Sequence, residues 1–196
     1  QVEGWLGWEE DPPDEDIVRA RTKLGQLRVW RLPRTGLPQI NGKDFAGSLA
    51  HPGLYILVDE ATHEAYIGES SDLRKRLSEH DKFPPNELKE WSNIVVIGDG
   101  RGYYQSMFTE VTLRLYLEKA MIKHISAAGI FTPVNKVKEE PKMSVAVQTI
   151  AQRLEDELHF VLAKLGIAQP IVHRKIPSAE IRIDVLRKAL ADKGHI

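Results

Sequence analysis

The sequence predicts an α/β (α+β) domain in which a small antiparallel sheet of three strands is flanked by helices. Three short segments, residues 53–58, 64–68 and 93–97, are rich in the apolar, β-branched and aromatic residues that suit strands. The second and third segments are each followed by a pattern with the period of an amphipathic helix. Residues 1–50 are predicted to be an N-terminal arm packed on this core, and residues 137–196 a C-terminal helical extension.

The composition sets wide limits on function. The chain has 196 residues, of which 42% are apolar, and a formal net charge of −1. It has no cysteine, which excludes disulfides and thiolate metal sites and is typical of an intracellular, cytoplasmic protein. It has no long uncharged apolar run, so no membrane partner is expected. Because the net charge is close to zero, attraction to nucleic-acid phosphate must come from local patches. Gln1 suggests a fragment or a processed chain.

The N-terminal arm is acidic at first and basic later. Trp5, Trp8 and Trp30 need burial, so we expect the arm to pack on the domain. Its basic residues either follow a phosphate backbone or form a solvated face paired with the acidic stretch. The second alternative is favoured because charge runs usually face solvent. The basic residues are Arg19, Arg21, Lys23, Arg28, Arg31 and Arg34.

Residues 53–58 and 64–68 predict a hairpin, because the residues between them are typical of a turn. The first segment is apolar at odd and even positions alike, as in a strand that is covered on both faces. Pairing of the two strands would bring Tyr55 and Tyr66 into one neighbourhood.

A helix is predicted after the hairpin. Ser70 and Ser71 are candidate N-caps, Asp72 in the first turn suits the helix dipole, and a pair of prolines ends the helix. At about 100° per residue, Arg76 and His80 fall on the side that carries two leucines and packs toward the hairpin. A guanidinium and an imidazole are unusual components of a core.

The tripeptides GLY at 53–55 and YIG at 66–68, followed by SSDLRKRLSEH, resemble the signature of the GIY-YIG nuclease superfamily. The resemblance covers residues 51–136, which we interpret as a nuclease domain. It implies one antiparallel sheet of three strands flanked by helices, and hydrolysis of nucleic-acid phosphodiesters with one divalent metal ion. His80 follows Arg76 by four residues, and this spacing resembles that of the family branch found among restriction endonucleases.

Residues 93–97 predict the third strand, and a glycine-rich loop follows it. Thr109 is a candidate cap for the next helix, which should run to about Ala127. Glu118 falls near the middle of the apolar face of this helix, where a carboxylate must be compensated.

From the residues alone, a salt bridge of Glu118 with Arg114 or Arg76 and a metal-ligand role are equal alternatives. The resemblance favours the metal ligand, because a glutamate on this helix holds the metal in the family. The closing asparagine of the motif matches Asn135, whose amide would tie its loop to the site. For Asn135 taken alone, a turn-forming role is the simpler interpretation.

The resemblance implies a role for each site residue. Glu118 holds Mg²⁺ or Mn²⁺, and Arg76 clamps the scissile phosphate. Tyr55 or Tyr66 positions or deprotonates the attacking water, and His80 accepts the proton of the tyrosine. The supporting residues of the motif are Gly53, Gly68 and Asn135.

Glu69 departs from the family pattern, in which a lysine or a small residue is common at this position. It is either a second carboxylate of the metal shell or an exposed residue that balances Arg74 or Lys75. The exposed alternative is favoured because glutamate is rarely buried. Cationic residues considered for nucleic-acid binding are Arg28, Arg31, Arg74, Lys75, Arg101, Arg174 and Lys175.

The C-terminal extension is mildly basic. A helix over residues 145–165 has an apolar stripe that packs on the domain or on a second copy, so a homodimer is considered. An irregular or strand-like piece over 170–177 and a last helix over 178–193 are predicted after it.

The sequence therefore leads to two hypotheses. The first is a divalent-metal-dependent endonuclease that acts on DNA, with double-stranded DNA favoured and a restriction or defence role placed before repair or mobile-element cleavage. The second is a non-catalytic module of the same fold that binds nucleic acid or another partner. The first is favoured because all five candidate site residues are present with compatible spacing.

Overall fold

The computed structural model of the chain describes residues 7–11, 17–23, 25–37, 49–101, 105–135, 139 and 141–170. Within these ranges, seven strands form one mixed sheet in the order β1-β2-β3-β6-β4-β5-β7. The pairing of β5 with β7 is parallel and the other pairings are antiparallel. The strands are β1 (Trp8–Glu10), β2 (Val18–Thr22), β3 (Leu27–Pro33), β4 (Gly53–Asp59), β5 (Glu64–Ser70), β6 (Asn93–Asp99) and β7 (Thr132–Pro133).

The α/β class is confirmed, but the prediction of a small three-stranded sheet is wrong. The three predicted segments are β4, β5 and β6, and β4 pairs antiparallel with both of the others. The sheet is wider because β3 pairs with β6 along its whole length, and β2 and β1 extend it further. Part of the N-terminal arm therefore adds strands to the sheet instead of only packing against it.

Three helices lie within the described residues: α1 (Leu73–Lys82), α2 (Val111–Ala128) and α3 (Val145–Lys164). Asp72 is the N-cap of α1, where its side chain accepts a hydrogen bond from the Lys75 N–H, so Ser70 and Ser71 are not the caps. Glu110, not Thr109, caps α2 in the same way. Gly129 follows α2 with a φ of 66°, a left-handed conformation that ends a helix at little cost for glycine.

The sheet is covered on both faces, as the uniformly apolar sequence of β4 predicts. On one face, Tyr55 and Leu57 of β4 pack with Leu73 and Leu77 of α1. On the other face, the alternate residues of β4 pack against α2 and α3. The alternation places Tyr55 in the layer between the sheet and α1.

A helix that crosses a bilayer must be both long and apolar. No helix among the described residues is long and apolar enough to cross a bilayer. Arg174, Lys175 and the last predicted helix lie outside the described residues.

Candidate active site

The register of the hairpin explains both glycines of the motif. Tyr55 lies directly opposite Gly68, and its ring lies over the backbone of that glycine. A Cβ at Gly68 would lie 2.3 Å from the Tyr55 hydroxyl oxygen, which is closer than packing allows. A Cβ at Gly53 would lie 2.5 Å from the Ile97 carbonyl oxygen and 2.7 Å from a methyl group of Leu73. The two glycines let the tyrosine and α1 lie close to the sheet.

Three aromatic rings meet between the hairpin and α1. The Tyr55 hydroxyl lies 2.8 Å from Nε2 of His80, which is hydrogen-bonding distance. The ring centroids of Tyr55 and His80 are 5.4 Å apart, and those of Tyr66 and His80 are 5.8 Å apart. Tyr55 and Tyr66 stack at 6.5 Å. The structure therefore brings both tyrosines into contact with the histidine.

Burial sets the protonation states of the hydrogen-bonded pair. Tyr55 is 2% exposed and His80 is 8% exposed. Burial, followed by the neighbouring phenol of Tyr66, raises the pKa of Tyr55 well above its ordinary value. Burial, followed by the charge of Arg76, lowers the pKa of His80 below its ordinary value of 6.5. At neutral pH the pair is a phenol and an uncharged imidazole.

Arg76 lies at the open side of this cluster. Its side chain is 46% exposed and makes an ion pair of 3.3 Å with Glu79, one turn later on α1. Its positive charge lowers the pKa values of both Tyr55 and His80, although burial outweighs the effect on Tyr55. A half-exposed pair of this kind is weak and is readily exchanged for a phosphate.

Glu118 lies on α2, the helix that packs on the opposite face of the sheet. It is 5% exposed, and its negative charge acts to raise the pKa of Tyr55. Of the other four predicted site residues, Tyr66 and His80 contact the Tyr55 side chain, and the charges of Arg76 and Glu118 act on its pKa.

The donor set suits a cation that keeps much of its water. No group of three or more histidine, cysteine, aspartate or glutamate side chains among the described residues could hold a metal ion. One buried carboxylate, Glu118, fits Mg²⁺ or Mn²⁺, which take oxygen ligands and complete their shells with water and substrate phosphate. It does not fit a zinc site, which needs several protein ligands.

The expectation that Glu69 is exposed and balances Arg74 or Lys75 is wrong. Its carboxylate accepts a hydrogen bond of 2.7 Å from Nε of Arg114, a residue of α2 that is 4% exposed. Arg114 also donates from one terminal nitrogen to the carbonyl oxygens of Phe108, at 2.5 Å, and Thr109, at 3.3 Å. Sequence reasoning considered Arg114 only as a partner of Glu118. Arg114 lies on the buried face of α2, where a guanidinium needs an acidic partner. This was the signal in the sequence that could have indicated a pair with another carboxylate.

Asn135 ties the residues after β7 to the hairpin. Its amide nitrogen donates to the Ile67 carbonyl oxygen at 2.9 Å, and its amide oxygen accepts from the Ile67 N–H at 3.1 Å. The side chain thus replaces one step of a strand ladder beside Gly68. The contact joins the residues after β7 to the strand that carries Gly68.

The cationic residues considered for nucleic-acid binding have different surroundings. Arg74, Lys75 and Arg28 are exposed. Arg101 binds both carboxylate oxygens of the buried Asp99 side chain, at 3.0 and 2.8 Å. Arg31 pairs with Glu60, and other arginines of the arm pair in the same way, Arg21 with Glu9 and Arg34 with Asp81.

The chain was compared with known proteins in three ways. Comparison with protein-family models, with curated proteins and with solved structures found no match in any of the three.

Proposed function

We propose that the chain is a divalent-metal-dependent endonuclease of the GIY-YIG type that hydrolyses phosphodiester bonds in DNA. The observation that carries the proposal is the buried hydrogen bond of 2.8 Å between the Tyr55 hydroxyl and Nε2 of His80. It lies within reach of the charges of Arg76 and Glu118. A proton acceptor, a cation and a metal-binding carboxylate are the groups that hydrolysis of a phosphodiester requires.

Tyr55 and His80 form a proton path for the attacking water. The raised pKa of Tyr55 makes a free phenolate a poor resting state at neutral pH. The lowered pKa of His80 leaves Nε2 with a lone pair that can accept the phenol proton. As the water oxygen bonds to phosphorus, its proton passes to the Tyr55 oxygen while the Tyr55 proton passes to His80. The bond from phosphorus to the leaving oxygen breaks in the same displacement.

The other residues position and stabilise the substrate. Arg76 exchanges Glu79 for the scissile phosphate and neutralises the charge that develops on it. Tyr66 is more exposed than Tyr55, and it orients the water or the phosphate. Glu118 holds the divalent cation. When bound, that cation polarises the phosphate and stabilises the leaving oxygen.

The substrate we propose is double-stranded DNA, with a role in restriction or defence. This part of the proposal is supported by the spacing of Arg76 and His80, which is similar to the restriction branch of the family. The exposed Arg74 and Lys75 lie on the same helix and provide a local positive charge beside the site.

Glu118→Gln tests the proposed function, because it removes the charge of the carboxylate and keeps its size. The wild type should cut DNA in Mg²⁺ and not in EDTA, and the variant should bind DNA but lose cleavage. Glu87→Gln, at an exposed carboxylate, is the matched control and should cut like the wild type.

Plasmid, linear duplex, branched DNA and RNA should be compared as substrates. Cleavage by Glu118→Gln at the wild-type rate would contradict the proposal, and absence of any cleavage by the wild type would favour a non-catalytic module.

A further inference from the structure

We infer that Arg114 and Glu69 are positioning residues of the candidate site. Their ion pair fixes helix α2 against the end of β5 and so holds Glu118 near Tyr55. The inference rests on the proposed function, because positioning matters only if Glu118 binds the cation.

The pair joins the two elements that supply the site. Glu69 follows Gly68 directly, and Gly68 lies under the Tyr55 ring. Arg114 lies four residues, or about one helical turn, before Glu118 on α2. The bond of 2.7 Å between Arg114 and Glu69 therefore links the backbone beneath the phenol to the helix that carries the carboxylate.

Arg114 is itself held firmly. Its Nε donates to Glu69, and a terminal nitrogen donates to the carbonyl oxygens of Phe108 and Thr109 just before α2. These bonds fix the guanidinium plane relative to the start of the helix. A lysine could not make the same set of bonds, because it carries a single nitrogen.

Stability alone is a weak reason for this arrangement. Removing a guanidinium from water is costly, and replacing a buried ion pair by apolar residues of similar size often leaves a fold as stable as before. A buried pair is more effective at fixing geometry, because its bonds are directional. Both Glu69 and Glu118 act on the pKa of Tyr55, so a shift of either element would change the surroundings of the phenol.

Among the described residues, the edge of β5 that faces away from β4 has little cover near Glu69. The backbone of β7 pairs with β5 only at Glu64 and Ala65, and the Asn135 side chain extends this cover to Ile67. Beyond Ile67, the described residues provide no further strand on that side of β5. The ion pair lies at this end of the strand and fastens it to α2.

The test replaces both partners at once, with Glu69→Met and Arg114→Met in one protein. The double change leaves the net charge unaltered, and Arg114→Lys, which keeps Glu69, separates a loss of positioning from a loss of the Glu69 carboxylate. We expect a melting temperature near that of the wild type, unchanged DNA affinity, and a 10- to 100-fold loss of Mn²⁺ affinity or of the single-turnover rate, about the effect of removing a residue that orients a metal ligand. Mn²⁺ affinity can be measured by electron paramagnetic resonance without DNA.

Matched variants separate the outcomes. The double variant Glu9→Met with Arg21→Met removes an ion pair at the opposite edge of the sheet and should bind Mn²⁺ like the wild type. Arg114→Lys keeps the positive charge but lacks the planar guanidinium group. This variant replaces the double Met variant in the test if the latter fails to fold. A folded variant of the pair that binds Mn²⁺ and cuts like the wild type would overturn the inference alone. Wild-type protein that neither binds Mn²⁺ nor cuts, with Glu118→Gln indistinguishable from it, would overturn the proposed function as well.

Discussion

Gly68 controls the position of the Tyr55 phenol. We predict that Gly68→Ala destabilises the fold by about 1–3 kcal/mol, because the new methyl group would lie 2.3 Å from the Tyr55 hydroxyl oxygen. Displacement of the phenol from His80 should also lower the single-turnover cleavage rate, on the order of 10²-fold. Urea unfolding and a cleavage assay measure the two effects.

Gly98→Ala is the matched control on β6, which lies on the other side of β4 from the strand of Gly68. A Cβ there would approach only the Trp30 ring, at 3.6 Å, which is an ordinary contact. We expect stability and cleavage close to those of the wild type. If both glycine variants behaved alike, crowding of Tyr55 could not be the cause.

Under the proposed mechanism, His80 should give the cleavage rate its dependence on pH. Because its pKa lies below 6.5, the single-turnover rate should rise with pH and level off before pH 7 as the imidazole loses its proton. His80→Gln can accept the phenol hydrogen bond but does not titrate, so it should lower the rate and flatten the rise. The stability that His80 contributes is present above pH 6.5 and is lost as the pH falls through its lower folded pKa, so circular dichroism must show a folded protein at each pH. A wild-type profile in a folded His80→Gln protein would make His80 a packing residue.

Sequence reasoning works well for residues whose spacing is set by one local element. The positions of Tyr55, Tyr66 and His80 follow from a hairpin and one helix, and the structure brings the three together. The partner of Glu69 could not be predicted in this way. Arg114 is 45 residues away in the sequence, and its approach depends on how α2 packs on the sheet.

The cap of helix α1 is Asp72, which the sequence predicts to lie in the first turn instead. Ser70 uses its hydroxyl group on Asp72, donating to its carbonyl oxygen at 2.8 Å and accepting from its N–H at 3.0 Å, which leaves Asp72 as the cap. Several serines and aspartates in a row are each acceptable caps, so the backbone conformation decides between them.

Asp72→Ala should therefore destabilise the protein by about 1 kcal/mol, the usual effect of losing an N-cap. Ser71→Ala, at the exposed neighbouring position, should change stability by less than about 0.5 kcal/mol. Chemical denaturation of the two variants compares them directly. Equal losses would mean that the cap is shared between the two residues.

At the scale of the whole molecule, helix α3 is tied to the turn between β2 and β3. Oε1 of Glu157, buried on α3, accepts hydrogen bonds from the backbone N–H groups of Gln26 and Leu27, both at 2.8 Å, and from the Thr22 hydroxyl at 2.5 Å. The carboxylate thus closes the turn between β2 and β3 and holds it to the helix. A Cβ at Gly25 would lie 2.0 Å from this oxygen, so glycine is required there.

Glu157→Ala should reduce the free energy of unfolding by about 3 kcal/mol or more, because it leaves two buried donors and one partly buried donor without this acceptor. Asp156→Ala, at the next and exposed residue, is the control and should have little effect. Urea unfolding provides both values. A small loss for Glu157→Ala would mean that water replaces the carboxylate and that the turn is not held by α3.

The width of the sheet is the part of the fold that the sequence did not reveal. In β3, buried residues occur on both sides of the strand, and charged residues between them conceal the pattern. Its pairing with β6 joins residues 60 to 72 positions apart, and no local signal specifies such a partner. The central strands were predictable because their apolar runs and the hairpin turn are local.

The place of β4 within the sheet has a consequence for heat inactivation. Both edges of β4 are occupied, by β5 over its whole length and by β6 over most of it, so its amide hydrogens should exchange with solvent only when the entire domain opens. Tyr55 is carried by this slowly exchanging strand, whereas Arg76 lies on a half-exposed helix surface. Warming should therefore displace Arg76, the proposed phosphate-binding residue, before it displaces the side chain of Tyr55. Substrate affinity should then decline first, and the maximal cleavage rate should persist until the protein melts.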